Sequence, residues 1–110
     1  MANKDKDWKY KYNEGTVLMV LQKYIDETYL QHYAKGGIQA TEFIFSSGHG
    51  EGFCMGNVMK YAQRYGKKKG KNPDDLLKII HYAIMLYGTN HTKVIEGGVY
   101  GDYTEIDKGE

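Results

Sequence analysis

The chain has one cysteine, one proline, no long apolar run and almost no net charge. A lone Cys excludes a disulfide framework and a cysteine metal cluster, so we expect a reduced, cytosolic protein. No apolar stretch approaches the roughly 18 residues that a membrane-spanning helix needs, and the first residues lack the pattern of a signal peptide. A net charge of +1 over 110 residues argues against a nucleic-acid binder that works by bulk electrostatics.

Tyrosine is the residue type in excess, with 11 Tyr against 3 Phe and 1 Trp. Its aromatic body and polar tip suit half-buried surfaces, subunit interfaces and base-stacking platforms. A chain of this length forms one domain with a modest hydrophobic core. Because oligomerisation enlarges the buried area of a small domain, we expect a homo-oligomer.

Apolar residues at spacings of three and four predict four helices. The first begins near Glu14 and ends between residues 26 and 29, or alternatively at Tyr33, before the breaker Lys35-Gly36-Gly37. The predicted ranges of the other three are 38–47, 51–65 and 73–88. Gly66 suits the C′ position that ends the third helix, and Asn72 and Pro73 open the fourth as N-cap and first helical residue. A broad apolar face, including Leu76, Ile80, Ile84 and Tyr87, is predicted for the fourth helix.

These patterns predict an all-α, compact domain of about four helices with a possible C-terminal β-hairpin or flexible tail. We divide the chain into a flexible N-terminal arm (1–13), a helical domain (14–89) and a C-terminal tail or hairpin (90–110). The two short β-like runs of the tail leave three alternatives, which are a hairpin, pairing with another subunit, or disorder.

The standard phosphate-binding loops are absent, because no GxxxxGK[ST] occurs and no GxGxxG lies between a strand and a helix. The glycines of GHGEG (48–52) lead into the third helix, whose N-terminus attracts anions. This stretch is either a binding loop or a simple connector. A second glycine loop follows His32 and Tyr33, where Lys35 and Gly37 let a phosphate or carboxylate approach the backbone closely. The alternative there is a turn with a capping side chain.

The third helix carries the most informative pattern, GNVMKYAQR (56–64). Asn57, Lys60 and Arg64 fall on one polar stripe, and Met55 and Met59 are among the residues toward the opposite side, which is the predicted core face. The stripe is either a solvated surface or a face that holds an anion, with Arg64 suited to bidentate contact with phosphate. A glycine and an asparagine together weaken a helix turn by roughly 1 kcal/mol or more, which suggests close packing or a ligand near the backbone.

The acidic residues and the single cysteine have fewer possible functional roles. Glu42 lies either at the edge of a site or in a structural ion pair with Lys60 or Arg64. Asp74 and Asp75 could bind Mg²⁺, but capping of the fourth helix already explains their position. We interpret Cys54 as a buried thiol on the third helix.

One ordered combination of motifs resembles a known family. The run H-Y-x-x-G-G-I-x-x-x-E-x-I spans residues 32–44, F-C-x-G-N-V-x-K-Y-x-x-R spans 53–64, and D-L-x-K-x-x-x-Y spans 75–82. Together they are similar to the SaV-like small bacteriophage proteins, which include the early nucleotide kinase of T-seven-like phages. The similarity covers roughly residues 29–87. The family often has N-x-P-x-H-Y where this chain reads E-T-Y-L-Q-H-Y, so His32 follows a helix here.

The resemblance implies a phage protein that binds a nucleotide in the host cytoplasm, as a P-loop-less nucleoside monophosphate kinase with ATP and Mg²⁺. The alternative is a non-catalytic sponge that sequesters a nucleotide-derived immune signal of the host, an anti-defence protein. A third reading is a structural or inhibitor module without a small ligand. We expect Lys60 and Arg64 to hold phosphates, Asn57 and His32 to orient the ligand, and Tyr33 or Tyr61 to stack on the base. The full set of expected ligand-binding residues is His32, Tyr33, Lys35, Gly37, Glu42, Asn57, Lys60, Tyr61 and Arg64.

Overall fold

The computed structural model describes residues 9–35, 37–94 and 103–106. Its elements are α1 (Glu14–Lys35), α2 (Gly37–Ser46), α3 (Gly50–Arg64), α4 (Pro73–His91), β1 (Thr92–Val94) and β2 (Tyr103–Ile106). Four helices dominate the described part of the chain, which confirms the predicted all-α fold. β1 and β2 pair antiparallel, as in the predicted hairpin. Most of the predicted N-terminal arm, Gly36 and the centre of the tail lie outside the described residues.

The contacts within the chain divide it into two units, Met1–Thr41 and Glu42–Glu110, and the division falls inside α2. The first unit contains α1. One large apolar residue of that helix, Leu21, is buried, whereas Val17, Leu18, Met19 and Val20 are exposed. The second unit contains α3, α4 and the strand pair.

The helix α1 extends past both of its predicted ends, at residues 26–29 and at Tyr33, to Lys35. The residues after Tyr29 include Leu30, Gln31 and Ala34, which favour helix, and the first glycine is Gly36. With no breaker before that glycine, the helix continues. The predicted breaker at residues 35–37 includes Gly36, which lies outside the described residues, so it stays a prediction, whereas both of the earlier predicted ends are wrong.

The connection between α2 and α3 is a short hydrogen-bonded turn. The N–H of His49 donates to the carbonyl of Ile44 at 3.0 Å, and the N–H of Gly48 donates to Phe45 at 3.1 Å. This is the Schellman pattern, which needs a left-handed residue at C′, and Gly48 supplies it with φ +90°. The helix ends at Ser46, within one residue of the end predicted at position 47.

The helices α3 and α4 pack against each other as an antiparallel pair joined by residues 65–72. Gly66 follows the end of α3 with φ +86°, the conformation predicted for it. Asn72 caps α4, since its side-chain oxygen accepts the N–H of Asp74 at 3.0 Å and Pro73 is the first helical residue. The start of α4 was therefore predicted correctly.

The predicted end of α4 is wrong. The helix does not end at Gly88 but continues to His91, where the hydroxyl of Thr92 donates to the carbonyl of Gly88. The predicted apolar face is largely exposed, with Leu76, Ile84 and Tyr87 each more than 40% accessible. A glycine within a helix costs only about 1 kcal/mol, which packing and capping offset.

The buried apolar residues of the described chain are few: Leu21, Cys54 and Tyr61. Two polar residues, Asp75 and His81, are equally buried on α4. Among the helices of the described ranges, none combines the length and the apolar character required to cross a bilayer.

Candidate functional site

Two of the three residues of the polar stripe of α3 lie on its inner side, and the third, Lys60, is exposed. Asn57 and Arg64 are half-buried and Tyr61 is buried, whereas Met55 and Met59 are exposed. The prediction that the methionines occupy the core side is wrong. The buried residues Cys54 and Tyr61 define the inner side of α3. Asn57 and Arg64 lie on the same face of the helix, because the four positions are three or four residues apart. The chain therefore brings charged residues to the helix contact and leaves apolar ones outside.

Three cations surround the ring of Tyr61, and we name Lys60, Arg64 and Lys78 the cationic cluster. Their charged groups lie 5.1, 5.6 and 5.8 Å from the ring centroid. Cations at this range are attracted by the negative face of an aromatic ring. Sequence spacing predicted Lys60 and Arg64, and α4 adds Lys78 to them.

The Tyr61 ring is not an open platform for a base. It is 9% exposed and stacks on Tyr82, with ring centroids 6.3 Å apart and an interplanar angle of 11°. The prediction that Tyr61 stacks on a ligand base therefore fails in this conformation. The ring instead packs inside the protein and contacts the three residues of the cationic cluster.

Arg64 forms its ion pair with Asp75, across the junction of α3 and α4. The Arg64 Nε lies 3.6 Å from the Asp75 Oδ1, and the Asp75 side chain is only 2% exposed while that of Arg64 is 26% exposed. The ion pair joins the last residue of α3 to the third residue of α4, so it fixes the guanidinium close to the helix junction. Of the two partners predicted for Glu42, Arg64 is thus paired elsewhere, and Glu42 itself is exposed.

Sequence reasoning missed Asp75 as a site residue, because helix capping already explained an aspartate there. The signal that could have found it is the face it shares with Lys78 and Tyr82, three and seven residues further along the helix. Two buried atoms of the pair, the Arg64 Nε and the Asp75 Oδ2, have no hydrogen-bond partner. Such buried groups are costly, so this pair is an inefficient way to hold two helices together.

Asn57 and Gly56 do not pack as the sequence suggested. The Asn57 side-chain amide donates to the carbonyl of Phe53 at 2.9 Å, one turn back along its own helix. A Cβ at Gly56 would meet no atom within 4 Å, so close packing does not explain this glycine. A ligand approaching the backbone at Gly56 stays a prediction.

The glycines of GHGEG have structural roles at two positions. Gly48 forms the Schellman turn, and Gly50 is buried where a Cβ would overlap the ring of Phe45. That ring meets Phe53 edge-on at 6.4 Å, and Phe53 meets Tyr82 edge-on at 5.6 Å. The stretch is therefore a packed connector at these two glycines, and the local geometry does not need a phosphate to explain it.

The remaining predicted site residues divide between the two units. His32 and Lys35 are exposed in the last turn of α1, so His32 lies on a helix and not on a loop as predicted. Tyr33 belongs to the same helix and Gly37 opens α2, and the side chain of Tyr33 lies outside the described residues. The second unit contains Glu42 and the α3 residues, and brings together Lys60, Tyr61 and Arg64.

The thiol of Cys54 is fully buried, as predicted, and burial raises its pKa. A raised pKa keeps the thiol protonated near neutral pH, which makes it a poor nucleophile. Within the described ranges, no three or more His, Cys, Asp or Glu side chains converge as metal ligands would. The described residues of the second unit bring three cations to one aromatic ring.

Comparison with known proteins assigns the chain to a family without assigning it an activity. A family model described as a protein of unknown function (DUF3310) matches residues 27–84, more than half of the chain. The chain belongs to this family, and the matched segment includes the cationic cluster and Asp75. No curated protein and no solved structure matches the chain.

Proposed function

We propose that the chain binds a nucleotide through its phosphates at the cationic cluster. The observation that carries this proposal is the convergence of Lys60, Arg64 and Lys78 within 6 Å of one ring centroid. One buried carboxylate, that of Asp75, pairs with one of these three cations. Three cations that lie near one ring favour an anion with more than one charge, which is the character of a nucleotide phosphate.

Arg64 is the residue that we expect to contribute most. Its planar guanidinium matches two phosphate oxygens, and its ion pair with Asp75 reduces the freedom lost on binding. Lys60 adds a point charge from an exposed position one turn earlier. Hydrogen bonds to charged groups contribute about 1.5–3 kcal/mol each, so removal of one should weaken binding roughly 10- to 100-fold.

The activity that we propose for this site is transfer of a phosphoryl group from ATP to a nucleoside monophosphate. The motif resemblance supports this activity, and the cations are of the kind that stabilise a transferring phosphoryl group. The donor set does not fit a resident Mg²⁺. Asp75 is buried beside Arg64, and the exposed Asp74 is its sequence neighbour at the capped start of α4. We therefore assign no step to the metal.

The alternative is sequestration, in which the site holds a nucleotide-derived immune signal of the host and performs no chemistry. The carboxylates beside the site favour this alternative, since Asp75 is 2% exposed and Asp74 lies at the capped start of α4, so neither is placed to hold the Mg²⁺ that phosphoryl transfer uses. Kinase and sponge share the cationic cluster and differ only in turnover.

A turnover assay separates the two. The purified chain is incubated with ATP, Mg²⁺ and each nucleoside monophosphate, and diphosphate formation is measured. Product that disappears in Lys60→Ala but persists in Lys23→Ala, an exposed control on α1, supports the kinase. Retained, releasable nucleotide without turnover supports sequestration. If neither turnover nor nucleotide binding is measurable, the nucleotide proposal is overturned and a structural or inhibitor role replaces it.

We also propose that the protein is a homo-oligomer acting in the host cytoplasm during phage infection. Supporting the oligomer is the shallow apolar surface of α4, formed by Ile80, Ala83, Ile84, Tyr87 and Gly88. The three large residues are partly or largely exposed within one chain, and a second copy would cover them. Light scattering on the wild type and on Ile84→Glu tests this. An unchanged monomer in both would contradict it.

A further inference from the structure

The positive charge of this chain is concentrated in one segment. Residues 60–78 contain seven Lys and Arg against two Asp, a net charge of +5, whereas the whole chain carries +1. Four of these cations lie in the connection between α3 and α4, at positions 67, 68, 69 and 71. We name residues 67–71 the lysine loop. All four lysines are exposed.

The backbone of the lysine loop is folded back onto the end of α3. The N–H groups of Lys67 and Lys68 donate to the carbonyl of Arg64, at 2.9 and 3.2 Å. The N–H of Gly66 donates to the carbonyl of Gly70 at 2.9 Å, which closes the loop. The backbone of the loop is therefore hydrogen-bonded to Arg64, the residue that contributes the guanidinium of the cationic cluster.

One lysine of the loop has an unfavourable backbone conformation. Lys69 has φ +62°, in the left-handed region that glycine and asparagine prefer. The loop thus presents a long cationic side chain at a position where a glycine would be easier to accommodate. Packing does not explain this choice, since the residue is exposed.

We propose that the lysine loop binds the second and third phosphate groups of a ligand whose first phosphate contacts Arg64. The inference rests on the proposed function and narrows its ligand class to nucleoside diphosphates and triphosphates in preference to monophosphates. Each added phosphate adds negative charge that these lysines can attract, and such exposed charges interact over about a Debye length, roughly 8 Å at physiological salt. Affinity should rise on the order of tenfold with each phosphate at low salt.

The dependence of affinity on the number of phosphates is tested with inorganic ligands, so that no particular nucleobase is assumed. Inorganic phosphate, pyrophosphate and triphosphate are titrated into the full chain, and dissociation constants are measured by NMR chemical shifts at two salt concentrations. The loop variant is Lys67→Ala with Lys68→Ala, which keeps both backbone N–H donors and avoids the strained Lys69. Its control is Lys11→Ala with Lys23→Ala, which removes the same charge from exposed positions of the first unit.

In the wild type, we expect triphosphate to bind on the order of 100-fold more tightly than phosphate. The loop variant should lose about tenfold or more in triphosphate affinity and less than about twofold in phosphate affinity, and the control should lose neither. Equal losses for both ligands, or equal losses in the two variants, would overturn the inference. Failure of all three probes to bind the wild type would instead reject the proposed function.

One further arm separates a free nucleotide from a nucleic-acid backbone, which offers the same phosphate chemistry. A ten-residue thymidine oligonucleotide is titrated beside thymidine triphosphate at equal salt. Tighter binding of the triphosphate supports the inference. Tighter binding of the oligonucleotide would assign the lysine loop to a nucleic acid and overturn the nucleotide assignment.

Discussion

The two ends of the α3–α4 pair are built on different physical principles. At the aromatic end, Phe45, Gly50 and Phe53 fit closely, with rings edge to face and a glycine where a Cβ would not fit. At the charged end, Arg64 and Asp75 are paired but leave buried atoms without hydrogen bonds. Tyr82 contacts both ends through Phe53 and Tyr61.

This difference indicates where stability and function are located. Edge-to-face aromatic contacts and close packing stabilise a fold, and they leave few buried polar groups without hydrogen bonds. A buried ion pair with unsatisfied atoms contributes little net stability, and apolar residues in its place often serve better. The aromatic end therefore holds the helices together, and we propose that the charged end serves to bind a ligand.

Among the variants that test this difference, we expect Phe53→Ala to have the largest effect on stability. The substitution removes a half-buried ring that contacts Phe45 and Tyr82, and we expect a loss of about 3 kcal/mol in the free energy of unfolding. Urea denaturation measures it. Phosphate affinity of the folded fraction should not change.

The matched control for that experiment is Phe43→Ala, since Phe43 is 72% exposed on α2. We expect it to change stability by less than about 0.5 kcal/mol. Similar losses in the two variants would show that the aromatic end does not hold the fold together.

Gly50→Ala should destabilise the chain by about 1–3 kcal/mol. The new Cβ would overlap the Phe45 ring, so ring or backbone must move. Thermal unfolding measures the loss. Gly52→Ala, where a Cβ meets only open space on the same helix, is the control, and a loss there as large as at Gly50 would refute the packing argument.

The sequence alone predicted some features of the α3–α4 pair and not others. Spacing and capping predicted the helices, the start of α4 at Asn72 and the left-handed Gly66, because these features depend on neighbouring residues. The same reasoning placed Lys60 and Arg64 together on α3. Those parts of the site are local in sequence.

The parts that depend on contacts between helices could not be predicted in this way. Asp75 pairs with a residue eleven positions earlier, and capping already explained its presence at a helix start. The exposure of the apolar face of α4 could not be predicted either, because periodicity identifies a stripe but not what covers it. The fit of Gly50 to Phe45 likewise requires the turn that joins their helices.

Asp75→Asn tests whether the charged end is arranged for binding. If Asp75 positions Arg64, the substitution should weaken triphosphate binding about tenfold. Bulk electrostatics alone predicts the opposite sign, because a negative charge is removed from beside the site. Calorimetric titration distinguishes the two directions, with circular dichroism to verify the fold.

The control for that variant is Asp74→Asn, which removes the same charge from the adjacent, exposed position of α4. Its affinity should stay equal or rise slightly. Weaker binding in Asp74→Asn, or tighter binding in Asp75→Asn, would contradict a positioning role for Asp75.

The smallest expected effect is that of Gly56→Ala. Open space surrounds this position, so alanine should stabilise α3 by about 0.5–1 kcal/mol through its higher helix propensity. If the ligand approaches the backbone there, the same variant should bind phosphate more weakly. A stabilised variant with unchanged affinity would place the ligand away from Gly56.

The most direct test of phosphate binding at the charged end uses the single arginine of the chain, Arg64. Its Nε–H group gives one resolvable NMR signal, which is followed while inorganic triphosphate is added to the full chain. The account predicts a saturable shift of this signal, with the amide signals of Phe45 and Phe53 unmoved. An Arg64 signal that stays in place at millimolar triphosphate would contradict it.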